Sequence, residues 1–337
     1  MRTVAFSLFL LLAAVCAPVI GQTAPLEEKQ KAVLAFEVRV DLVKDGELGK
    51  ALDLGKMMSS LPNMDGMDMS KLKKVIGAMS APENMDAAQG IAAGGPTPEF
   101  FVQVHFEDNE VCEMAKKKVE EDNGGTVKHD GKTFYKSPEG DGPPMLVHFP
   151  KSGLMEAGTE AYLFQDNRKV MTDGLMKAWT ATSSEESIRI VADLDAAKGF
   201  IGEAVAMAKE SADPTTGEFL NLVDNMKDLS ITLDVANSKN LLNLTATGVN
   251  SEEAEELHSG LDGILGMAKF GGNMQVQAMK EQDPEGAAVM GSILESLNAK
   301  LDGEQVKLVV PKPDGFNAFL KKSIEQAMTM MGPSFGP

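Results

Sequence analysis

Residues Leu229 to Thr247 read LSITLDVANSKNLLNLTAT, and this stretch decides the fold. Leu229, Ile231, Leu233 and Val235 alternate with Ser230, Thr232 and Asp234. After Asn237-Ser238-Lys239-Asn240, Leu242, Leu244 and Ala246 alternate with Asn243, Thr245 and Thr247. A period of two marks a strand, and two such runs around a short polar turn make an antiparallel hairpin with one apolar and one wet face. Asn250 with Glu253 then forms a capping box. It opens a helix whose apolar stripe is Ala254, Leu257, Leu261, Ile264, Leu265 and Ala268.

Working outward, Asp213-Pro214 and Asp283-Pro284 mark two further helix starts, with proline tolerated in the first turn. Val306, Leu308 and Val310 predict a late strand, and residues 316–330 a closing helix. In the first half Leu34, Phe36, Val38, Val40 and Leu42 alternate and end in Asp41-Leu42; Ile188, Ile190, Ala192 and Leu194 repeat the pattern and end in Asp193-Leu194. Helical patterns follow each, over Gly46–Ser60 and Ala196–Lys209. Two halves that open alike suggest an internal repeat. Phe100, Val102, Val104 and Phe106 form another strand, followed by a charged helix from Asn109 to Glu121. Asp130-Gly131 signals a hairpin. The small, polar segment Thr180–Glu186 is the boundary between halves. The expected fold class is α+β: two successive units, 22–180 and 187–337, each an antiparallel sheet with helices packed on one face.

Residues 1–21 read as an export signal. Arg2 supplies a short positive region, Val4 to Ala14 is an almost unbroken apolar run, and Val19-Ile20-Gly21 precedes a cleavable bond before Gln22. The expected location is the periplasm or the extracellular space, with no integral membrane segment after cleavage. Removing this segment leaves 316 of 337 residues, with 31 Lys and Arg against 50 Asp and Glu, a net of −19. That charge argues against nucleic acid as a partner. The 43% hydrophobic content is enough to bury a core and too high for a disordered chain. Cys16 leaves with the signal, so Cys112 stands alone and stability must come from the core. Glu110 and Glu113 would raise the Cys112 thiol pKa, which fits a buried small hydrophobe better than a nucleophile.

Motifs of chemistry are sparse. The four histidines, His105, His129, His148 and His258, show no closely spaced pair, and no HExxH is present. They read as ordinary surface histidines, with a site built from His105, Glu107 and His148 across neighbouring strands as the alternative. There is no GxSxG elbow, SxxK, P-loop or GxGxxG, and Gly90 to Gly95 lacks the lysine of a phosphate cradle. Methionine is abundant, with 22 residues. Most helical ones, such as Met207, Met267, Met279 and Met290, read as pliable core filler, and a Met-rich greasy surface for a lipid or partner helix is a further use. The string Asn63-Met64-Asp65-Gly66-Met67-Asp68-Met69 differs, placing three thioethers within six residues of polar, turn-like chain. Soft thioethers suit Cu(I). The string resembles the Met-Asp-Gly-Met-Asp repeats of copper-resistance proteins, carried by Met64, Met67 and Met69, in a single copy and without adjacent histidines.

Three features together resemble the uncharacterised secreted α+β proteins of planctomycete bacteria: the strand ending in Asp-Leu before a helix (Val38 to Lys44, Ile190 to Lys198), a strand–turn–helix from Ala161 to Trp179, and the late hairpin with its long helices. The resemblance implies compartment and fold, and carries no activity. The functional expectation is a non-catalytic extracytoplasmic binding or structural protein with an unidentified protein or small-molecule partner and no cofactor. The alternative is a periplasmic Cu(I)-binding protein using Met64, Met67 and Met69.

Overall fold

Alternating apolar residues make strands here where a neighbouring strand completes the ladder. The computed structural model describes residues 31–46, 49–50, 71–80, 99–137, 145–164, 171–183, 185–198, 222–234 and 239–330. The signal segment, the Met64–Met69 string, Asp213-Pro214 and most of the helices expected at Gly46–Ser60 and Ala196–Lys209 lie outside these residues.

The first half supplies β1 (Ala32–Val38), α1 (Val40–Asp45), β2 (Leu72–Ser80), β3 (Phe100–Phe106), α2 (Asn109–Asp122), β4 (Thr126–His129), β5 (Lys132–Lys136), β6 (Leu146–Lys151), β7 (Leu154–Gly158), α3 (Glu160–Leu163) and α4 (Asp173–Ala181). The second supplies β8 (Ile188–Asp193), β9 (Met226–Leu233), β10 (Asn240–Gly248), α5 (Ser251–Met279), α6 (Pro284–Ser296), β11 (Ala299–Asp302), β12 (Gln305–Pro311) and α7 (Phe316–Met330). The class is α+β. Among the described residues no helix is long and apolar enough to cross a membrane.

The two units share one 12-stranded sheet, in the order β11-β12-β10-β9-β8-β1-β2-β3-β7-β6-β5-β4. They join because β1 and β8 pair antiparallel through Leu34–Ala192 to Val38–Ile188, leaving neither opening strand as a free edge. Outward from that seam the halves take the same order, β1-β2-β3-β7-β6 on one side and β8-β9-β10-β12-β11 on the other. Glu37 faces Arg189 at the seam, 152 residues away. Asp41 and Asp193 stand at that same separation.

Helices cover both faces, since both are apolar in places. On one face α3 and α4 bury Ala35, Ala78, Phe101, Leu146 and Val191 together with Tyr162 and Leu175. On the other, α2 packs Val111, Cys112 and Ala115 against Leu72 and Phe106. There too α5 sets Leu257, Leu261 and Leu265 against Ala246, Val306 and Leu308. The capping box forms: the Asn250 side chain accepts from the Glu253 N–H at 3.0 Å. Asp283 caps α6 in the same way, accepting from the Gly286 N–H at 3.2 Å. At the tip of the β4–β5 hairpin Asp130 and Gly131 both take positive φ, 46° and 75°, the left-handed pair that a two-residue hairpin turn requires.

Three local expectations change. The opening strand stops at Val38, and Val40 and Leu42 belong to α1, so their alternation continued into a helical turn. Leu194 is likewise helical, because Asp193 ends its strand as a cap whose carboxylate accepts from the Ala196 N–H at 3.0 Å. The segment from Ala161 starts as the helical turn α3 and not as a strand. After Gly158 no neighbouring strand is available, and the turn buries Tyr162 and Leu163 instead.

Candidate functional site

Residues directly opposite one another in an antiparallel ladder share a face of the sheet. Asn243, Thr232, Arg189, Glu37, Ile76, Gln103, Glu156 and His148 are successive partners from β10 through to β6. One rung thus crosses eight strands, and Ile76 is its single apolar member. The sequence reading assigned that side of the second-half hairpin to solvent. Instead Thr232 and Asp234 are buried, as are Glu37 and Arg189, because α4 packs against β1, β8 and β9 there.

The seam is the most charged part of this rung. Arg189 Nη2 donates to Glu37 Oε2 at 2.6 Å, and both side chains are under a tenth exposed. Lys74 Nζ approaches the other Glu37 oxygen at 3.4 Å. Arg189 Nη1 donates to the main-chain oxygens of Trp179 at 3.1 Å and Thr182 at 3.0 Å. Its guanidinium carbon lies 3.5 Å above the centre of the Trp179 ring. The planar, multiply donating arginine head therefore ties the last turn of α4 to the seam. Nearby, Thr172 Oγ1 donates to Asp193 and Ser187 Oγ to Asp234, both at 2.6 Å. Farther along the rung Asn243 donates to Thr232 at 3.0 Å and Gln103 to Glu156 at 2.8 Å.

At the rim of the seam, His105 pairs across the ladder with Lys74. Its Nε2 is buried without a hydrogen-bond partner. Burial, and then the charges of Lys74 and Lys151, hold its pKa below the ordinary value of 6.5, with Glu37 opposing. The fold favours the neutral ring, so its contribution to stability is full above about pH 6.5 and is lost as pH falls. His105→Gln is expected to flatten the fall of thermal midpoint between about pH 7 and pH 5. An unchanged slope in that interval would show that the ring takes no part.

The alternative grouping of His105, Glu107 and His148 is not assembled. His148 stands opposite Glu156 and His105 opposite Leu154, with β7 between them. His148 Nδ1 donates to the Thr133 carbonyl at 2.9 Å, and its ring lies 4.7 Å from that of Phe134. Glu107 pairs with Lys44 at 2.9 Å. No group of three His, Cys, Asp or Glu suited to a metal occurs among the described residues. Cys112 is buried, and burial first, then Glu113, pushes its thiol pKa up, which fits the reading of a structural thiol. Met64, Met67 and Met69 lie outside the described residues. Along α4 the surface carries a shallow groove lined by Asp173, Met176, Lys177, Thr180 and Ala181.

Glu37 and Arg189 escaped the sequence reading because each sits at an outward position of an alternating strand. The available signal was a charge of opposite sign, Glu37 and Arg189, inside each of two strands that open alike.

No family model matches the chain, and no curated protein matches it. It is similar to solved structures of TP0453, a spirochete protein. Crystal form I shows 10% identity and a TM-score of 0.39, covering 91% of this chain and 98% of that one. Crystal form III shows 10% identity and a TM-score of 0.37, covering 89% and 99%. Crystal form IV gives 10% and 0.37, covering 90% and 97%. Likeness at this level transfers no function.

Proposed function

We propose that this is an exported, non-catalytic binding or structural protein, acting in the periplasm or outside the cell. The observation that carries this reading is the engagement of the buried carboxylates Glu37, Asp193 and Asp234. The Glu37 carboxylate is held by Arg189 and Lys74, and Arg189 closes on α4. Asp193 holds Thr172 and the Ala196 N–H, and Asp234 holds Ser187. These three carboxylates are fastened to their partners as struts between strands and helices. The apolar run at Val4–Ala14 supports export, and the likeness to secreted planctomycete α+β proteins is consistent with it.

Two measurements test the reading. Mass spectrometry of the protein from fractionated cells is expected to find a mature chain starting at Gln22 outside the cytoplasm; an uncleaved cytosolic chain overturns export. Screening against ester, phosphoester, glycoside and peptide substrates is expected to show no turnover that depends on Glu37. Turnover abolished by Glu37→Gln would make the seam a catalytic centre.

The string Asn63 to Met69 favours a second reading, Cu(I) binding by Met64, Met67 and Met69. In that case Cu(I) under reducing conditions raises the thermal midpoint, as any ligand of the native state does. Replacing the three methionines with leucine removes the rise. An unaltered midpoint of the unsubstituted protein eliminates the copper reading.

A further inference from the structure

We propose that the outer face of α5, from Gly263 to Ala278, is a self-association surface on which a second copy of this chain lays the same helix antiparallel. Helical periodicity puts Gly263, Gly266, Met267, Phe270, Gly271, Met274, Gln277 and Ala278 on one side, and all eight are exposed. Phe270 is 71% exposed, Met274 59% and Met267 43%, the large apolar side chains of three successive turns. The opposite side is the one packed on the sheet, through Leu257, Leu261 and Leu265.

Charge selects the occupant. The strip carries none over four turns, and the one charge in this part of the helix, Lys269, reaches sideways to Asn298 at 2.8 Å. A chain with a net charge of −18 repels its own kind, so an uncharged face is where two copies meet without burying carboxylates. A lipid surface fits less well. The helix begins with Glu252, Glu253, Glu255 and Glu256, and the single cation at its far end, Lys280, is followed by Glu281 and Asp283, which leaves no net basic flank to hold anionic headgroups.

The glycines point the same way. A Cβ at Gly263, Gly266 or Gly271 would meet nothing within 4 Å, whereas at Gly260 and Gly272 it would strike Leu222 and Leu294. The packed glycines are explained within the fold; the exposed three cost helix stability and meet no contact among the described residues. Close approach of another helix explains them, since small residues let backbones come near. The order of sizes is also self-complementary. An antiparallel two-fold axis between Ala268 and Lys269 sets Met267 against Phe270 of the second copy, Gly266 against its Gly271, and Gly263 against its Met274. Each bulky residue then faces a notch or makes a sulfur–aromatic contact, and the contact is isologous and closed. One helix face is small beside a stable dimer interface, so the equilibrium depends on concentration. Self-association is independent of export and of copper, and failure of either reading leaves it standing.

Sedimentation of the purified mature protein, from low micromolar to near-millimolar concentration, tests this. The mass is expected to rise toward that of a dimer. Phe270→Glu is expected to weaken association at least about tenfold while leaving the monomer's melting unchanged. Gly266→Leu is expected to raise the monomer's melting temperature and also weaken the dimer, a combination that a bare solvent-exposed helix face would not produce. A cysteine pair at Met267 and Phe270 should cross-link two copies on oxidation. A monomer at every concentration overturns the proposal. So does a dimer indifferent to Phe270→Glu, or binding to phosphatidylcholine vesicles lost in Phe270→Glu without any dimer.

Discussion

Arg189→Ala is expected to destabilise the fold by about 3–5 kcal/mol, because it leaves the Glu37 carboxylate buried beside a vacated site. The guanidinium serves three partners at once: the carboxylate on β1, two main-chain oxygens at the end of α4, and the Trp179 ring. Its loss unties the helix from the seam as well as breaking the ion pair. A buried pair replaced as a whole behaves differently. Glu37→Leu with Arg189→Met removes both charges and fills much the same volume, so the double variant should recover most of the loss. Urea unfolding of the two single variants and the double variant measures this. If the single variants unfold like the unsubstituted protein, the seam is not held by the pair; a double variant as weak as Arg189→Ala assigns the effect to lost packing.

Leu257→Ala is the second large effect, expected to cost about 2–5 kcal/mol. Leu257 is fully buried in the cluster that α5 makes with Ala246, Val306 and Leu308, where removing three side-chain carbons leaves a void the strands cannot close. On the same helix Met274→Ala, more than half exposed, is expected to change stability by less than about 0.5 kcal/mol. Equal effects at the two positions would mean that α5 does not sit on the sheet as described.

The hairpin of β9 and β10, the caps Asn250 and Asp283, the Asp130-Gly131 turn and the closing helix were legible because each is written in neighbouring residues. Alternation and cap chemistry are local. What covers a strand is not. Thr232 and Asp234 read as wet because polar residues usually are, yet α4, some fifty residues earlier in the chain, lies over them. Glu37 and Arg189 stayed hidden for the same reason, their burial being set by a pairing across 152 residues. Separate sheets were the simple inference from two similar halves, and nothing local announces that their first strands pair. The histidine cluster failed on register: β7 intervenes, and each ring already has its own surroundings.

The position of the seam also bears on how the molecule is made. Ribosomes deliver the chain amino end first, so β2 and β3 can dock on β1 long before β8 exists. Until then β1 keeps an open hydrogen-bonding edge, with the Glu37 carboxylate near its carboxyl end and no guanidinium opposite. That stranded charge discourages another nascent chain from stacking onto the edge, as inward-pointing charges do on exposed strands. Arg189 is then both partner and password: a strand that presents it in register is accepted, and a wrong strand meets a carboxylate that only the more distant Lys74 offsets. Assembly of the second half becomes the step that releases the first from its half-finished state.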